Sequence, residues 1–97
     1  VYVLPSKFEP WGVTVQEFAT CGFPLLVSDQ VGSRTFFLKE NGLEFEAGKV
    51  SAIKAAMREI MLKSDADLLA MGKRSHELGV SLTPEKWVDN LLGLLKR

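Results

Sequence analysis

Two short apolar runs joined by a helix-like segment constrain the fold of this chain more than any other feature. The first run is Val1 to Leu4, stopped by Pro5, and the second is Leu25 to Val27. Neither run alternates apolar with polar residues, which is typical of strands that are buried on both faces of a parallel sheet. Strand, helix and strand in this order predict a right-handed parallel crossover. The sequence therefore predicts an α/β fold.

The segment between these two strands carries a start signal and a stop signal for a helix. Thr14 and Glu17 have the spacing of a capping box, in which a hydroxyl caps the first turn and a glutamate three positions later reaches back to it. Gly22 can adopt the left-handed conformation that ends a helix, and Pro24 prevents its continuation. We predict a helix that ends at residue 20 or 21.

The next part of the chain reads as one small βα unit. A polar loop at 28–35 leads to one helical turn at 36–38 and to a third strand at 43–45. With the first two strands, this predicts a partial Rossmann-like parallel sheet of about three strands, with flanking and C-terminal helices. Because the chain has 97 residues and no repeat or linker, we interpret residues 1–97 as a single, partial domain. Its natural start is expected upstream of the first strand.

Helical periodicity begins at residue 51. Apolar residues at helical spacing are interpreted as core, namely Ile53, Ala56, Met57 and Ile60 in the first of these helices and Val88, Leu91, Leu92 and Leu95 in the last. Ser64 or Asp65 is predicted to cap the helix between them, which we expect to end near Gly79. Thr83, followed by Pro84 at the first helical position, is predicted to start the last helix.

Composition narrows the possible functions. Twelve basic and twelve acidic residues cancel, so a broad surface for nucleic acid is not expected. Cys21 is the single cysteine, which excludes an internal disulfide and favours an intracellular protein, and we interpret it as a small buried hydrophobe. His76 is interpreted as an ordinary helix-surface residue. No stretch approaches the roughly 20 apolar residues that a membrane span needs.

The loop after the first strand is the main candidate for a site. In open parallel sheets, ligands bind beyond the carboxyl ends of the strands, where loops enter helices. The first amides of the helix are unpaired there and the helix dipole is positive, so phosphate is the natural ligand. Gly12 allows close approach to the backbone, and Pro10 and Trp11 stiffen the corner. Glu9 and Glu17 flank this corner, and their carboxylates can accept hydrogen bonds from hydroxyls, which suggests a sugar nucleotide.

These residues carry a resemblance to a known family. The stretch PSKFEPWGVTVQEFATCGFPLLVSDQVG, at 5–32, is similar to the nucleotide-sugar-binding half of the family 4 (group 1) glycosyltransferases, which are of the two-domain GT-B type. Glu9 and Glu17 match the family's two glutamates separated by seven residues, and Gly12 matches the small residue between them. Gly22 and Pro24 match its helix exit. Weaker similarity continues through NGLEF at 41–45 and TPEKWVDNLLGLL at 83–95.

The resemblance implies roles for the residues of the corner. Glu9, as the catalytic residue, would hold hydroxyls of the transferred sugar near the reaction centre, while Glu17 would bind the ribose hydroxyls. The donor-binding residues that it implies are Glu17, Trp11, Gly12, Val13 and Thr14. Two local alternatives stay open at this point, because Glu17 could instead complete the capping box and Trp11 could be only a packing lid. Lys7 and Arg34 lie on the expected ligand side, where such residues are more often solvated than phosphate-binding.

The function that the resemblance implies is transfer of a sugar, with retention of anomeric configuration, from a nucleotide-diphosphate sugar to a saccharide or lipid-linked acceptor. Polysaccharide or lipopolysaccharide biosynthesis is the expected setting, with no metal and no cofactor. The acceptor would contact an N-terminal domain that this chain lacks, and the family's diphosphate-clamping arginine and lysine would lie upstream of Val1. The fragment alone is therefore expected to be inactive. We expect the intact protein in the cytoplasm, either free or peripheral at the inner face of the membrane.

The chain departs from the family in the loop after the second strand, and other functions remain open. Residues 32–36 lack the glutamate of the family's Gly-Gly-x-x-Glu loop. A glycan phosphorylase shares the architecture, but no motif for a lysine-bound pyridoxal phosphate is present. A non-catalytic interaction or nucleotide-binding module, such as an inactive subunit, also fits. Finally, the first strand would lack a neighbour on one side, so we expect an edge-strand dimer of the fragment.

Overall fold

The computed structural model describes residues 1–95, with all side chains in that range except those of Trp87, Asn90, Leu94 and Leu95. Eight elements follow one another along residues 1–95. They are β1 (Tyr2–Leu4), α1 (Val13–Thr20), β2 (Leu25–Ser28), α2 (Arg34–Phe37), β3 (Gly42–Phe45), α3 (Val50–Met61), α4 (Asp65–Ser81) and α5 (Pro84–Leu95). None of the helices described is both long and apolar enough to cross a lipid bilayer.

The three strands form one parallel sheet in the order β1-β2-β3. In the register of the sheet, Leu4 lies beside Val27, and Val27 lies beside Glu44. All four residues of β2 are fully buried, because this central strand is covered on both faces. The prediction of an α/β fold with a three-stranded parallel sheet is confirmed. Within the described residues, β1 pairs on one side only.

Helices cover the two faces of the sheet and divide the core into two clusters. On one face, Val15 and Ala19 of α1 pack with Leu25 and Val27 of β2 and with Leu78 of α4. The other face is covered mainly by α3, and its cluster consists of Leu26, Phe45, Ala56, Ile60 and Met71. Because side chains alternate along β2, a single strand contributes to both clusters.

Several predicted helix boundaries are confirmed. Gly22 follows α1 with a positive φ of 87°, as expected for a glycine at a helix exit. The Ser64 side chain accepts a hydrogen bond of 3.1 Å from the Asp67 amide and caps α4. Thr83 accepts a bond of 3.2 Å from the Lys86 amide at the start of α5. Helix α4 ends at Ser81, two residues beyond the predicted end.

Some residues that we interpreted as core are exposed. Met57 is 44% exposed, because the neighbouring Ala56 takes the position that faces the sheet. Val88, Leu91 and Leu92 are also 42 to 48% exposed, since nothing in the described part of the chain covers that side of α5. The side chain of Leu95, assigned to the same face, lies outside those described. Cys21 is exposed as well, because it follows the last residue of α1 while Ala19 occupies the buried position.

Candidate functional site

The corner between β1 and α1 leaves two backbone amides without an internal partner. Gly12 immediately precedes the helix in a left-handed conformation, with φ 87° and ψ 71°. Its carbonyl accepts a hydrogen bond of 3.0 Å from the Val15 amide. The amides of Val13 and Thr14 donate to no acceptor within residues 1–95. They lie at the positive end of the helix dipole, where an anion is stabilised.

Gly12 is required at this corner for two reasons. Side chains rarely adopt its backbone conformation, so any other residue would be strained. In addition, a Cβ atom at this position would lie 3.2 Å from Cγ1 of Val31 and 3.3 Å from Cγ of Glu9. The absence of a side chain therefore both permits the turn and brings Glu9 close to the start of α1.

The predicted capping box at Thr14 and Glu17 is wrong. Helix α1 starts at Val13, so Thr14 already lies inside the first turn, and no side chain among those described caps the helix. The Thr14 hydroxyl instead lies 2.6 Å from the Tyr2 hydroxyl, in a hydrogen bond. Glycine supplies the turn before the helix but no capping oxygen on a side chain, so the first two amides of α1 keep no partner among the described residues. Among the described residues, the carboxylate of Glu17 has no hydrogen-bond or ion-pair partner, and it remains available to a ligand.

Glu9 combines a fixed backbone with an available carboxylate. Its amide donates to the Gln30 carbonyl at 3.2 Å, and its carbonyl accepts from the Gly32 amide at 2.9 Å. These bonds form an isolated parallel bridge between Glu9 and Val31, which extends the pairing of the strands beyond their ends. The side chain is half-buried, and its carboxylate has no partner among the residues described.

The loop after β2 holds the corner in place through hydrogen bonds and close backbone packing. The Ser33 amide donates to the Trp11 carbonyl at 2.8 Å, and the Ser33 hydroxyl donates to the Gly12 carbonyl at 3.3 Å. Gly32 lies so close to the corner that an added Cβ would be 1.8 Å from the Pro10 carbonyl oxygen. We did not predict this support from the sequence. The sequence signal that could have indicated it is Gly32, a glycine in the loop that follows β2.

The face of α1 that points to solvent carries Glu17 one turn from the free amides. Val15 and Ala19 are fully buried, whereas Val13, Thr14 and Glu17 are exposed. Residues three and four positions apart share one side of a helix. The structure therefore brings Glu9 and the amides of Val13 and Thr14 together at the corner and places Glu17 one turn further along the same exposed side.

Trp11 packs against the core. Its ring lies edge-on to the buried ring of Phe37, with centroids 6.0 Å apart and an interplanar angle of 71°. Such pairs stabilise beyond the area that they bury. This contact supports the interpretation of Trp11 as a packing lid, and its role as a donor contact stays a prediction.

The two cations near this edge of the sheet differ in what they contact. Lys7 is exposed, and its Cε lies 3.8 Å from the position that a Cβ on Gly48 would occupy, in the loop after β3. The Arg34 guanidinium forms an ion pair with Glu44 of β3 and donates to the Val31 carbonyl at 3.0 Å. Of the two, Lys7 is the cation that could approach a phosphate without breaking an ion pair.

A concavity of about 560 Å³ lies at the opposite end of the sheet, where β3 begins. Its lining includes Glu40, Lys63, Asp67 and Arg74. Helix α4 starts nearby, but its first turn carries Asp65 and Asp67, whose negative charges oppose an anion there. The corner before α1 is therefore the better anion site, because the first turn of α1 contains no acidic residue. Within the described residues, no group of three or more His, Cys, Asp or Glu side chains could hold a metal ion.

Comparisons with known proteins identify what this arrangement is similar to. A profile of the family described as Glycosyl transferases group 1 matches residues 1–78, which include every residue of the corner. Among solved structures, sucrose-phosphate synthase from Thermosynechococcus elongatus is similar, with a TM-score of 0.77 and 27% sequence identity. That match covers 98% of this chain and 24% of the synthase, so the chain spans about a quarter of the length of this relative. A comparison with curated protein sequences gave no match.

Proposed function

The chain belongs to the group 1 glycosyltransferases, and we propose that it is the donor-binding part of a retaining glycosyltransferase. The intact enzyme would transfer a hexose from a nucleotide-diphosphate sugar to a saccharide or lipid-linked acceptor in polysaccharide or lipopolysaccharide biosynthesis. The observation that carries the proposal is the pair of free amides at Val13 and Thr14, flanked by the unpartnered carboxylates of Glu9 and Glu17. Amides that bind an anion, with a carboxylate on either side, suit a ligand with a diphosphate between two hydroxyl-bearing sugars.

The proposed mechanism uses the corner to stabilise charge on the leaving group. As the bond to the transferred sugar breaks, negative charge grows on the diphosphate, and the amides of Val13 and Thr14 are already oriented to bind it. Donors that are fixed before the reaction stabilise the transition state without the cost of reorganisation. The support from Gly32 and Ser33 keeps these amides in place. Lys7 would add a positive charge at the same edge.

The two glutamates would act on different parts of the donor. Glu9, the proposed catalytic residue, would accept hydrogen bonds from hydroxyls of the transferred sugar and hold it at the reaction centre. Glu17, one helical turn away, would accept hydrogen bonds from the ribose. Reaction through this corner requires neither a metal nor a cofactor in our proposal. The acceptor would be bound by a part of the enzyme outside this chain, in the cytoplasm or at the inner face of the membrane.

Kinetics of the complete protein test this proposal. Replacing Glu17 with Gln should raise the donor KM about 10- to 100-fold with a smaller change in kcat, since a charged hydrogen bond remote from the reacting bond contributes about 1.5–3 kcal/mol. Replacing Glu9 with Gln should instead lower kcat. The control is Glu59→Gln, which removes an exposed carboxylate on α3. The proposal is wrong if both corner variants behave like the control.

Activity of the fragment provides a second test. Residues 1–97 alone should transfer no sugar, because the acceptor site and part of the diphosphate clamp would lie elsewhere. A measurable transfer rate from this chain would contradict the proposed division of the site. Donor binding without transfer by the complete protein would instead support a non-catalytic nucleotide-binding module, and transfer from a sugar phosphate would support a phosphorylase.

We also propose that the isolated chain dimerises along β1. This strand pairs only with β2 in the described residues, so one row of its amides and carbonyls is open. Beside this strand, Tyr2 stacks on Phe18 of α1 with ring centroids 4.1 Å apart, and Phe18 is 37% exposed. Open edges of this kind pair readily with other strands. Light scattering of the isolated chain should give the mass of a dimer, and a stable monomer at high concentration would contradict this proposal.

A further inference from the structure

Helix α3 carries apolar residues on its exposed surface as well as on the side that packs against the sheet. Ala56 and Ile60 face the sheet and are buried. Val50, Met57 and Met61, in contrast, are 80%, 44% and 78% exposed. They are spaced seven and four positions apart, so they form one line along the whole length of the helix. We call these three residues the α3 line.

Two cations lie beside the α3 line. Lys54 and Arg58 line a shallow groove of about 370 Å³ together with the three residues of the α3 line and Ile53. Neither cation forms an ion pair with any described residue. The one acidic residue of α3, Glu59, is two positions from both Met57 and Met61 and therefore points to the other side of the helix. This face thus combines apolar and basic groups without a carboxylate of its own helix.

We propose that the α3 line and its two cations form a contact surface for an anionic lipid bilayer. A helix of this kind lies in the plane of the interface, with its apolar residues among the acyl chains. The long stems of Lys54 and Arg58 would reach up to the negatively charged headgroups. Because the exposed apolar residues run along the full helix, α3 can lie flat on a surface. Leu62, which is 87% exposed directly after the helix, adds a further exposed apolar side chain at this end of α3.

Helix α3 begins close to the carboxyl edge of the sheet, where the candidate site lies. The helix starts immediately after the loop that contains Gly48, and that loop lies next to Lys7. A bilayer beneath α3 would therefore lie near the edge that carries the candidate site. The bilayer contact itself does not depend on the proposed glycosyltransferase function, because it rests on the composition and exposure of α3 alone.

Sedimentation of the chain with lipid vesicles tests the charged part of the surface. The chain should bind vesicles that contain phosphatidylglycerol and should bind pure phosphatidylcholine vesicles much more weakly. The double variant Lys54→Gln/Arg58→Gln should weaken binding to the anionic vesicles about thirtyfold, as expected for the loss of two cations near such a surface. The matched control is Lys73→Gln/Lys86→Gln, which changes the net charge equally on other helices and should bind like the unmodified chain.

A second pair of variants tests the apolar part. Met57→Gln/Met61→Gln should also weaken binding at least tenfold, while Val80→Gln, which replaces an apolar residue of α4 that is 48% exposed, should have little effect. All these positions are exposed, and circular dichroism should show unchanged helix content. The proposal is overturned if the chain does not bind anionic vesicles, if the two charge variants weaken binding equally, or if the chain binds an acidic peptide such as polyglutamate in place of vesicles. The assay contains no sugar nucleotide, so its result is separate from that of the donor kinetics.

Discussion

Replacing Gly32 with Ala should damage the donor corner through a single added atom. The new Cβ would lie 1.8 Å from the Pro10 carbonyl oxygen and 2.7 Å from its carbon. Ordinary van der Waals contacts of a Cβ lie at 3.4–4 Å, so the two loops would have to separate by about 1.5 Å. The hydrogen bonds from the Gly32 and Ser33 amides, now 2.9 and 2.8 Å long, would then exceed hydrogen-bonding distance.

The size of the effect follows from these contacts. Two lost hydrogen bonds cost about 1 kcal/mol each, and the residual overpacking costs roughly 1–3 kcal/mol. We expect the free energy of unfolding, measured by urea denaturation of the chain, to fall by about 3–5 kcal/mol. Because the corner holds the amides of Val13 and Thr14, a displacement of this size should also weaken donor binding by the complete protein about 100-fold.

Two control variants separate the local effect from general destabilisation. Gly42→Ala makes an equivalent clash, with its Cβ 1.7 Å from the Leu25 carbonyl oxygen, but at the opposite end of the sheet. It should lose comparable stability and keep its donor affinity at temperatures where it is folded. Gly93→Ala meets no atom within 4 Å and should leave the donor affinity unchanged, while stability should rise by up to about 1 kcal/mol because alanine favours a helix more than glycine does. Equal donor affinities for folded Gly32→Ala and Gly42→Ala would refute the reasoning.

Three further variants test contacts of the fold by urea denaturation. Tyr2→Phe removes the 2.6 Å hydrogen bond to Thr14 and should cost about 1 kcal/mol; an unchanged midpoint would contradict that contact. Asn41→Ala leaves the Ser75 hydroxyl, 2.9 Å from the Asn41 amide nitrogen, without its partner in the core, and should cost roughly 2–4 kcal/mol. A loss below 1 kcal/mol would argue against this buried network. Ser64→Ala removes the cap of α4 and should cost about 1 kcal/mol, whereas Ser51→Ala, near the start of α3, should cost less.

The sequence predicted the sheet well because its signals are local. The apolar runs at 1–4 and 25–27, the glycine at 22 and the proline at 24 each act over a few residues, and the structure confirms β1, β2 and the exit of α1. Glu9 and Glu17 could be proposed as site residues because their spacing brings both to one strand-to-helix junction, and their roles stay predictions. Ser64 and Thr83 were found as caps because a cap depends on the next three residues.

The errors arose where distant residues decide the outcome. Thr14 and Glu17 fit a capping box locally, but the left-handed Gly12 starts the helix one residue earlier. The Thr14 hydroxyl is instead hydrogen-bonded to the hydroxyl of Tyr2 in β1. Apolar spacing in α3 and α5 could not show how much of each helix the fold covers, so Met57 was wrongly assigned to the core. The support from the loop after β2 was missed because it depends on contacts between residues far apart in the sequence, such as the hydrogen bond from the Ser33 hydroxyl to the Gly12 carbonyl, 21 positions away.

The central claim is that a sugar nucleotide binds at the corner between β1 and α1. Nuclear magnetic resonance titration of the ¹⁵N-labelled chain with a panel of nucleoside diphosphate sugars at millimolar concentration tests it most directly. The largest amide shifts should occur at Gly12, Val13 and Thr14, with a smaller shift at Glu17. Shifts that concentrate at the opposite end of the sheet around Glu40, or no shifts with any donor, would contradict the claim.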